Sequence, residues 1–308
     1  LSRHHRAVAA DLRRQRALID LLDHLSAARI RALVIKGAAL AYTLYEAPTE
    51  RERHDADLLV PHSQIEQADH VLRTIGYARE AEPDLMVASG QRHYRPPSPW
   101  MDPIDLHWRV ANPQVFERVL PFEEAWSRSV PVVALGPHAR SLAPTDALLL
   151  ACVHRVAHHA NADDRRWLDD IDRLVRQFDQ EDADAFVEAA SKSGIRAVCT
   201  CSLQLAAIRC GTPSSTLIDA LRPDSQAREA SAVFAESAPH LAGILASDLR
   251  HASWRTRALL LRDHLFPALD YMRARYPRWP RALLVFAYPM RIAVGVPAWF
   301  RKTSSTIN

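Results

Sequence analysis

The sequence predicts an α/β (α+β) amino-terminal domain with a small mixed sheet, followed by an all-helical carboxy-terminal domain. Three observations carry this. A helical period of apolar residues opens the chain at 5–28, with Leu12, Ile19, Leu22 and Leu25 on or near one face. Short apolar runs punctuated by Gly and Pro recur from 32 to 135, and their length and alternation fit strands. From Pro144 onward, stretches at helical period follow one another at 145–160, 164–178, 182–193, 196–210, 214–235 and 238–263. The change of character sets a boundary near 140 and hence domains at 1–140 and 141–308.

The first half divides in order. A strand at 32–36 breaks into a helix at 37–45, a charged loop runs over 46–54, and a second strand at 55–60 ends at Pro61. Ser63 and Glu66 form a candidate capping box for a helix at 64–75, which Gly76 terminates. Residues 77–110 read as short strands at 77–79, 85–88, 93–95 and 104–110, and a further extended piece covers 130–135.

Composition narrows the class. With 308 residues, 48% hydrophobic and 24% charged, the chain has the make-up of a globular protein long enough for two domains. A net charge of +3 does not point to a surface built to coat nucleic acid, although thirty-nine basic side chains suffice for a local patch. Cys152, Cys199, Cys201 and Cys210 fit neither a disulfide framework nor a zinc motif, so structural thiols in a reducing cytoplasm are expected. The first thirty residues are rich in arginine and lack a continuous apolar segment, so no cleavable signal is expected. The most apolar late segment, 282–300, is interrupted by Pro289, Arg291 and Pro297. It is expected to be a core helix broken by prolines in preference to a segment lying on a membrane surface or packing on a partner.

The chemistry concentrates in three places. Asp55 and Asp57 flank Ala56 at the start of a strand, so both carboxylates project from one side. Two anions that close call for a cation between them, and hard divalent ions use such oxygens, commonly together with a substrate phosphate. Lys36-Gly37 stands where a strand meets a helix N-terminus, a setting that binds phosphate. In Ile104-Asp105-Leu106-His107-Trp108-Arg109 the alternation puts Asp105, His107 and Arg109 on one face, with Leu106 and Trp108 packed behind. Three carboxylates holding two metals suit in-line displacement at phosphorus.

Lys36-Gly37-Ala38-Ala39-Leu40, then Arg51 ahead of Asp55-Ala56-Asp57-Leu58-Leu59-Val60, then Ile104-Asp105-Leu106-His107-Trp108 resembles the poorly characterised nucleotidyltransferase-like family of the DNA polymerase beta superfamily. His154, His158 and Trp167-Leu168-Asp169-Asp170-Ile171 look like that family's second-domain signature, and 266–289 is similar too. The resemblance implies a cytoplasmic, Mg²⁺-dependent transferase that moves a nucleoside monophosphate from an NTP, ATP by default, to an acceptor with release of pyrophosphate. It implies Asp55, Asp57 and Asp105 as metal ligands in a two-metal site, with Asp105 as candidate general base. Members tend to accompany peptide-modification or polysaccharide gene sets, which suggests a peptide or glycan precursor as acceptor. The sequence departs from the superfamily at one point: Lys36-Gly37-Ala38 replaces the usual Gly-Ser of the phosphate cradle.

Arg51 is read either as a phosphate contact or as one of several solvated loop arginines. His107 either bridges Asp105, contacts the acceptor or is structural. His154 and His158 stand i, i+4 on one helix; with no third ligand in view, a polar wall of an interdomain cleft is favoured over zinc. Trp167 and Asp170 read as packing and capping residues. Two other functions stay open: a toxin-like transferase acting on tRNA, which the modest charge disfavours, and a non-catalytic scaffold with a degenerate nucleotidyltransferase fold.

Overall fold

The computed structural model describes residues 3–80, 89–222, 229–236 and 241–299; the strand expected at 85–88 lies outside them. Seven strands form one mixed sheet: β1 (Leu33–Ile35), β2 (Ala56–Leu59), β3 (Ala78–Arg79), β4 (Gln91–Arg95), β5 (Ile104–His107), β6 (Val130–Pro131) and β7 (Arg140–Ser141). Their order is β3-β4-β5-β2-β1-β7-β6. β2 runs parallel to β5 and antiparallel to β1, with Asp57 opposite Asp105 on one side and Ile35 on the other. The extended piece expected at 130–135 is only the two-residue β6 followed by a 3₁₀ turn, Val133–Leu135, and β7 pairs in parallel with β1.

The two faces of the sheet bury different partners. α1 (Arg3–Ala27) and α3 (Ile65–Thr74) cover one face, where Leu21, Leu22 and Leu25 meet Val34, Leu58, Leu106 and Leu72 in one core. The opposite face presents Leu33, Ile35 and Leu59, which share a second core with Leu148, Leu168 and Val198 of the helical half. That half holds α5 (Pro144–Ala157), α6 (Arg165–Gln177), α7 (Gln180–Lys192) and α8 (Arg196–Cys210), preceded by α4 (Phe122–Arg128). Alternation along β2 and β5 therefore aims Asp57 and His107 at the helical half, because their strand neighbours Leu58 and Leu106 face the other way.

Several local expectations are corrected. Ser63 caps no helix: 62–64 is a 3₁₀ turn and α3 begins at Ile65 without a side-chain cap, while Glu66 instead bonds Arg92 at 2.7 Å. Of the late helices, 214–235 and 238–263 are not continuous. They comprise α9 (Ser215–Ala220), α10 (Ala232–Glu236), α11 (Leu241–His251) and α12 (Trp254–Leu265), followed by α13 (Leu269–Arg275) and α14 (Ala287–Trp299). The segment expected to be a core helix is a 3₁₀ turn, Arg281–Phe286, leading into α14, and much of its apolar surface faces outward. Cys152 and Cys199 are buried free thiols, as expected of structural cysteines. Among the described residues no helix is long and apolar enough to cross a membrane.

Candidate active site

The turn from β1 into α2 (Lys36–Thr43) builds the first wall of the site. The helix starts at Lys36, one residue before the expected glycine, and Lys36 takes φ +53°, a left-handed conformation that costs a side-chain-bearing residue about 1 kcal/mol. The reward for that geometry is the direction of its side chain. Lys36 Nζ donates to Asp57 Oδ1 at 2.6 Å and lies 3.3 Å from His107 Nε2. His107 Nε2 is itself 2.7 Å from the same Asp57 oxygen, so a proton on that nitrogen donates to the carboxylate.

β5 supplies the second carboxylate. Asp105 accepts from His93 Nδ1 at 2.7 Å, and Gln91 Nε2 fixes the far side of that imidazole at 2.9 Å. Asp57, Asp105 and His107 each offer a ligand atom, and these atoms all lie within 4.8 Å of one another. Two carboxylates and an imidazole at that spacing could hold a divalent cation. Asp55 stands outside this trio but feels it: burial, then Asp57 and Asp105, push its carboxyl up to about 7, against Lys36. Burial alone would also raise Asp57, but the Lys36 ammonium and His107 hold it below the ordinary carboxylate range. Burial and Lys36 lower His107, so the imidazole is neutral at pH 7 despite its bond to Asp57.

Arg51 is neither a solvated loop residue nor an unengaged cation. Its Nε and Nη2 donate to the two Asp170 oxygens at 2.8 Å each, and Tyr45 donates to Asp170 Oδ1 at 2.7 Å. The guanidinium also lies over Gly37, about where a β-carbon's next neighbour would be: a methyl there would sit 3.5 Å from Nη2. Asp170 is thus no helix cap, a role that Asp164 takes by accepting from the Arg166 backbone N–H. Arg109 does not share the acidic face, since β5 ends at His107 and its charged neighbours are Glu117 and Asp248.

The helical half contributes a cluster of rings at the end of α5. His154 and His158 have ring centroids 5.2 Å apart, His159 stacks on Trp167 at 3.8 Å, and His159 Nε2 lies 2.9 Å from His154 Nε2. Burial, and next the charge of Lys36, hold His154 and His158 well below the ordinary imidazole range. His154 Nδ1 and His158 Nε2 are buried with no hydrogen-bond partner among the described residues. Among the described residues the one set of three ligand atoms at metal spacing is Asp57, Asp105 and His107, and these histidines are outside it. Sequence reading missed His93, His159 and the Arg51–Asp170–Tyr45 triad. Alternation places His93 opposite Asp105 once the β4–β5 pairing is known, but no local signal reveals a partner 119 residues away.

A mixed sheet carrying two facing carboxylates beside a strand–turn–helix, closed by a helical unit, defines a nucleotidyltransferase-like protein. The sequence profile of a family described as uncharacterised nucleotidyltransferase matches residues 1–211, and the chain belongs to that family. No curated protein matches the sequence. The match covers the sheet, the acidic site and α5 to α8, and ends before the late segment 266–289.

Proposed function

We propose that the chain is a divalent-metal-dependent nucleotidyltransferase that moves a nucleoside monophosphate from an NTP, ATP by default, onto an acceptor hydroxyl or phosphate. The observation that carries this reading is the convergence of Asp57, Asp105 and His107 within 4.8 Å beside the Lys36 turn. Asp57 and Asp105, with His107 or Asp55 completing the set, would hold Mg²⁺ or Mn²⁺. Such ions neutralise charge on the triphosphate and lower the pKa of an attacking hydroxyl.

The chain's own groups then have distinct roles. Asp105, oriented by His93, takes the proton of the acceptor hydroxyl. The acceptor oxygen attacks the α-phosphorus, the bond from that phosphorus to the β-bridging oxygen breaks, and pyrophosphate leaves. Lys36 and the α2 N-terminus at Gly37 bind the triphosphate by charge and backbone N–H groups, in place of the absent Gly-Ser hydroxyl. Arg51, its charge balanced by Asp170, packs beside Gly37 and shapes that cradle. The unpartnered nitrogens of His154 and His158 are the polar groups left for the base or the acceptor. We assign 1–140 to the catalytic unit and 141–308 to the second wall, acting in the cytoplasm within a biosynthetic gene cluster and on a peptide, sugar or other small acceptor.

Incubation with α-labelled NTPs, a divalent salt and candidate acceptors tests this. Label in a product that disappears with Asp105→Asn supports the transfer; no pyrophosphate with any NTP contradicts it. One observation favours a second reading, a non-catalytic module: Lys36 already neutralises Asp57, as it would if the carboxylate were structural. Thermal stabilisation by a triphosphate only when Mg²⁺ is present would count against a purely structural role.

A further inference from the structure

The last part of the chain has a chemistry unlike the rest. Residues 250–302 hold eleven Lys and Arg against two Asp, so a segment of charge +9 is attached to a remainder of −6 in a chain whose total is +3. One of its two acids, Asp263, is buried and bonded by Arg262 at 2.7 Å. The segment lies beyond residue 211, where the family match ends.

Its apolar side chains are arranged as a stripe. The 3₁₀ turn Arg281–Phe286 runs directly into α14, and Leu283, Phe286, Met290 and Val294 follow at spacings of three, four and four, which is one edge of a helix. All four face outward, at 46, 63, 38 and 71% exposure, whereas Leu284 and Ala287 on the inner side are buried. Trp254 and Phe266 add further exposed rings at 74 and 62%. The element is pinned from behind: Tyr288 donates to the Pro267 carbonyl at 3.0 Å and Arg291 to that of His264 at 2.7 Å. An apolar edge held outward on a fixed helix, amid arginines, has no use for that surface in water.

We propose that the described part of this segment, 250–299, is an interfacial docking surface for an anionic lipid bilayer. The stripe inserts at the level of the headgroups and the arginines, Arg275 and Arg278 among those exposed, pair with lipid phosphates. Charge selects this occupant. A second copy would bring +9 against +9, and RNA would leave the aliphatic edge uncovered. Because α14 has 13 residues, the segment lies on the membrane and does not span it.

Co-sedimentation of the full chain with phosphatidylcholine vesicles, with and without phosphatidylglycerol, tests the proposal. Binding should require the anionic lipid and weaken with salt. Arg275→Glu/Arg278→Glu should lower partitioning by at least about fivefold per arginine. Phe286→Ser/Val294→Ser should also release the protein while leaving its thermal midpoint and circular dichroism unchanged. Failure to bind, equal binding to neutral vesicles, or loss of a dimer or of RNA affinity in the stripe variant without any vesicle binding would each overturn it.

Discussion

Arg51 and Asp170 form a buried bidentate ion pair, Nε to Oδ1 and Nη2 to Oδ2 at 2.8 Å each, across 119 residues of sequence. The pair ties the loop before β2 to α6 and thereby fixes the helical half over the sheet face that carries Asp57. Burial raises the Asp170 pKa even though Arg51 and Tyr45 draw it down, while Asp170 raises that of Arg51 against the effect of burial.

Asp170→Ala should therefore lower unfolding stability by about 3–5 kcal/mol, since it strands a buried guanidinium. Arg51→Met/Asp170→Leu removes both charges and should recover much of the loss. Urea denaturation of the two variants measures it, and equal stability of Asp170→Ala and wild type would remove the pair from the account.

Lys36 competes with any cation for Asp57 Oδ1. Lys36→Met should bind Mn²⁺ more tightly than wild type, yet transfer nucleotide about a hundredfold more slowly, because a charge aimed at the triphosphate is gone. Lys36→Gly should be the more stable of the two variants by about 1 kcal/mol, since glycine takes φ +53° without strain. Mn²⁺ titration followed by electron paramagnetic resonance, and thermal melts, separate these effects.

Gly37 is less constrained than its place beside a phosphate cradle suggests. Its φ is not left-handed, and a β-carbon would meet the Arg51 guanidinium at 3.5 Å, ordinary contact. Gly37→Ala should keep wild-type stability or gain about 0.5 kcal/mol from helix propensity. Gly37→Leu should displace Arg51 and destabilise by thermal melt.

Asp248 offers a pH probe away from the acidic site. It accepts from the Gln114 backbone N–H at 2.7 Å, yet burial raises its carboxyl to about 6. A carboxyl raised in the folded state binds protons more tightly there. Its stabilising contribution is therefore full below the unfolded value near 4 and is lost as pH rises through about 6. Asp248→Asn keeps the acceptor and removes the titration. Above pH 7 it should be more stable than wild type by roughly 1 kcal/mol, after allowing for solvent screening, and the advantage should vanish at pH 4.

Local periodicity made the first part of the site legible. Strand alternation put Asp57 and Asp105 on surfaces that meet once β2 and β5 pair in parallel, and the helical spacing beyond Pro144 recovered α5 to α8 within a few residues. What escaped was set by distance along the chain or by backbone strain. The partner of Arg51 is on α6, Lys36 reaches Asp57 from a left-handed backbone conformation that its residue type does not announce, and His93 gains meaning only from pairing with β5. The late segment misled for a different reason: apolar residues at helical spacing look the same whether the stripe faces a core or faces outward.

The seat of the chemistry is tested most directly by counting Mn²⁺ bound in the presence of a non-hydrolysable α,β-methylene NTP, for wild type, Asp57→Asn and Asp105→Asn. Wild type should bind the ion and the nucleotide together, and each single amide should weaken the ion at least about tenfold. Unchanged Mn²⁺ affinity in both variants would mean that the two facing carboxylates of β2 and β5 hold no cation.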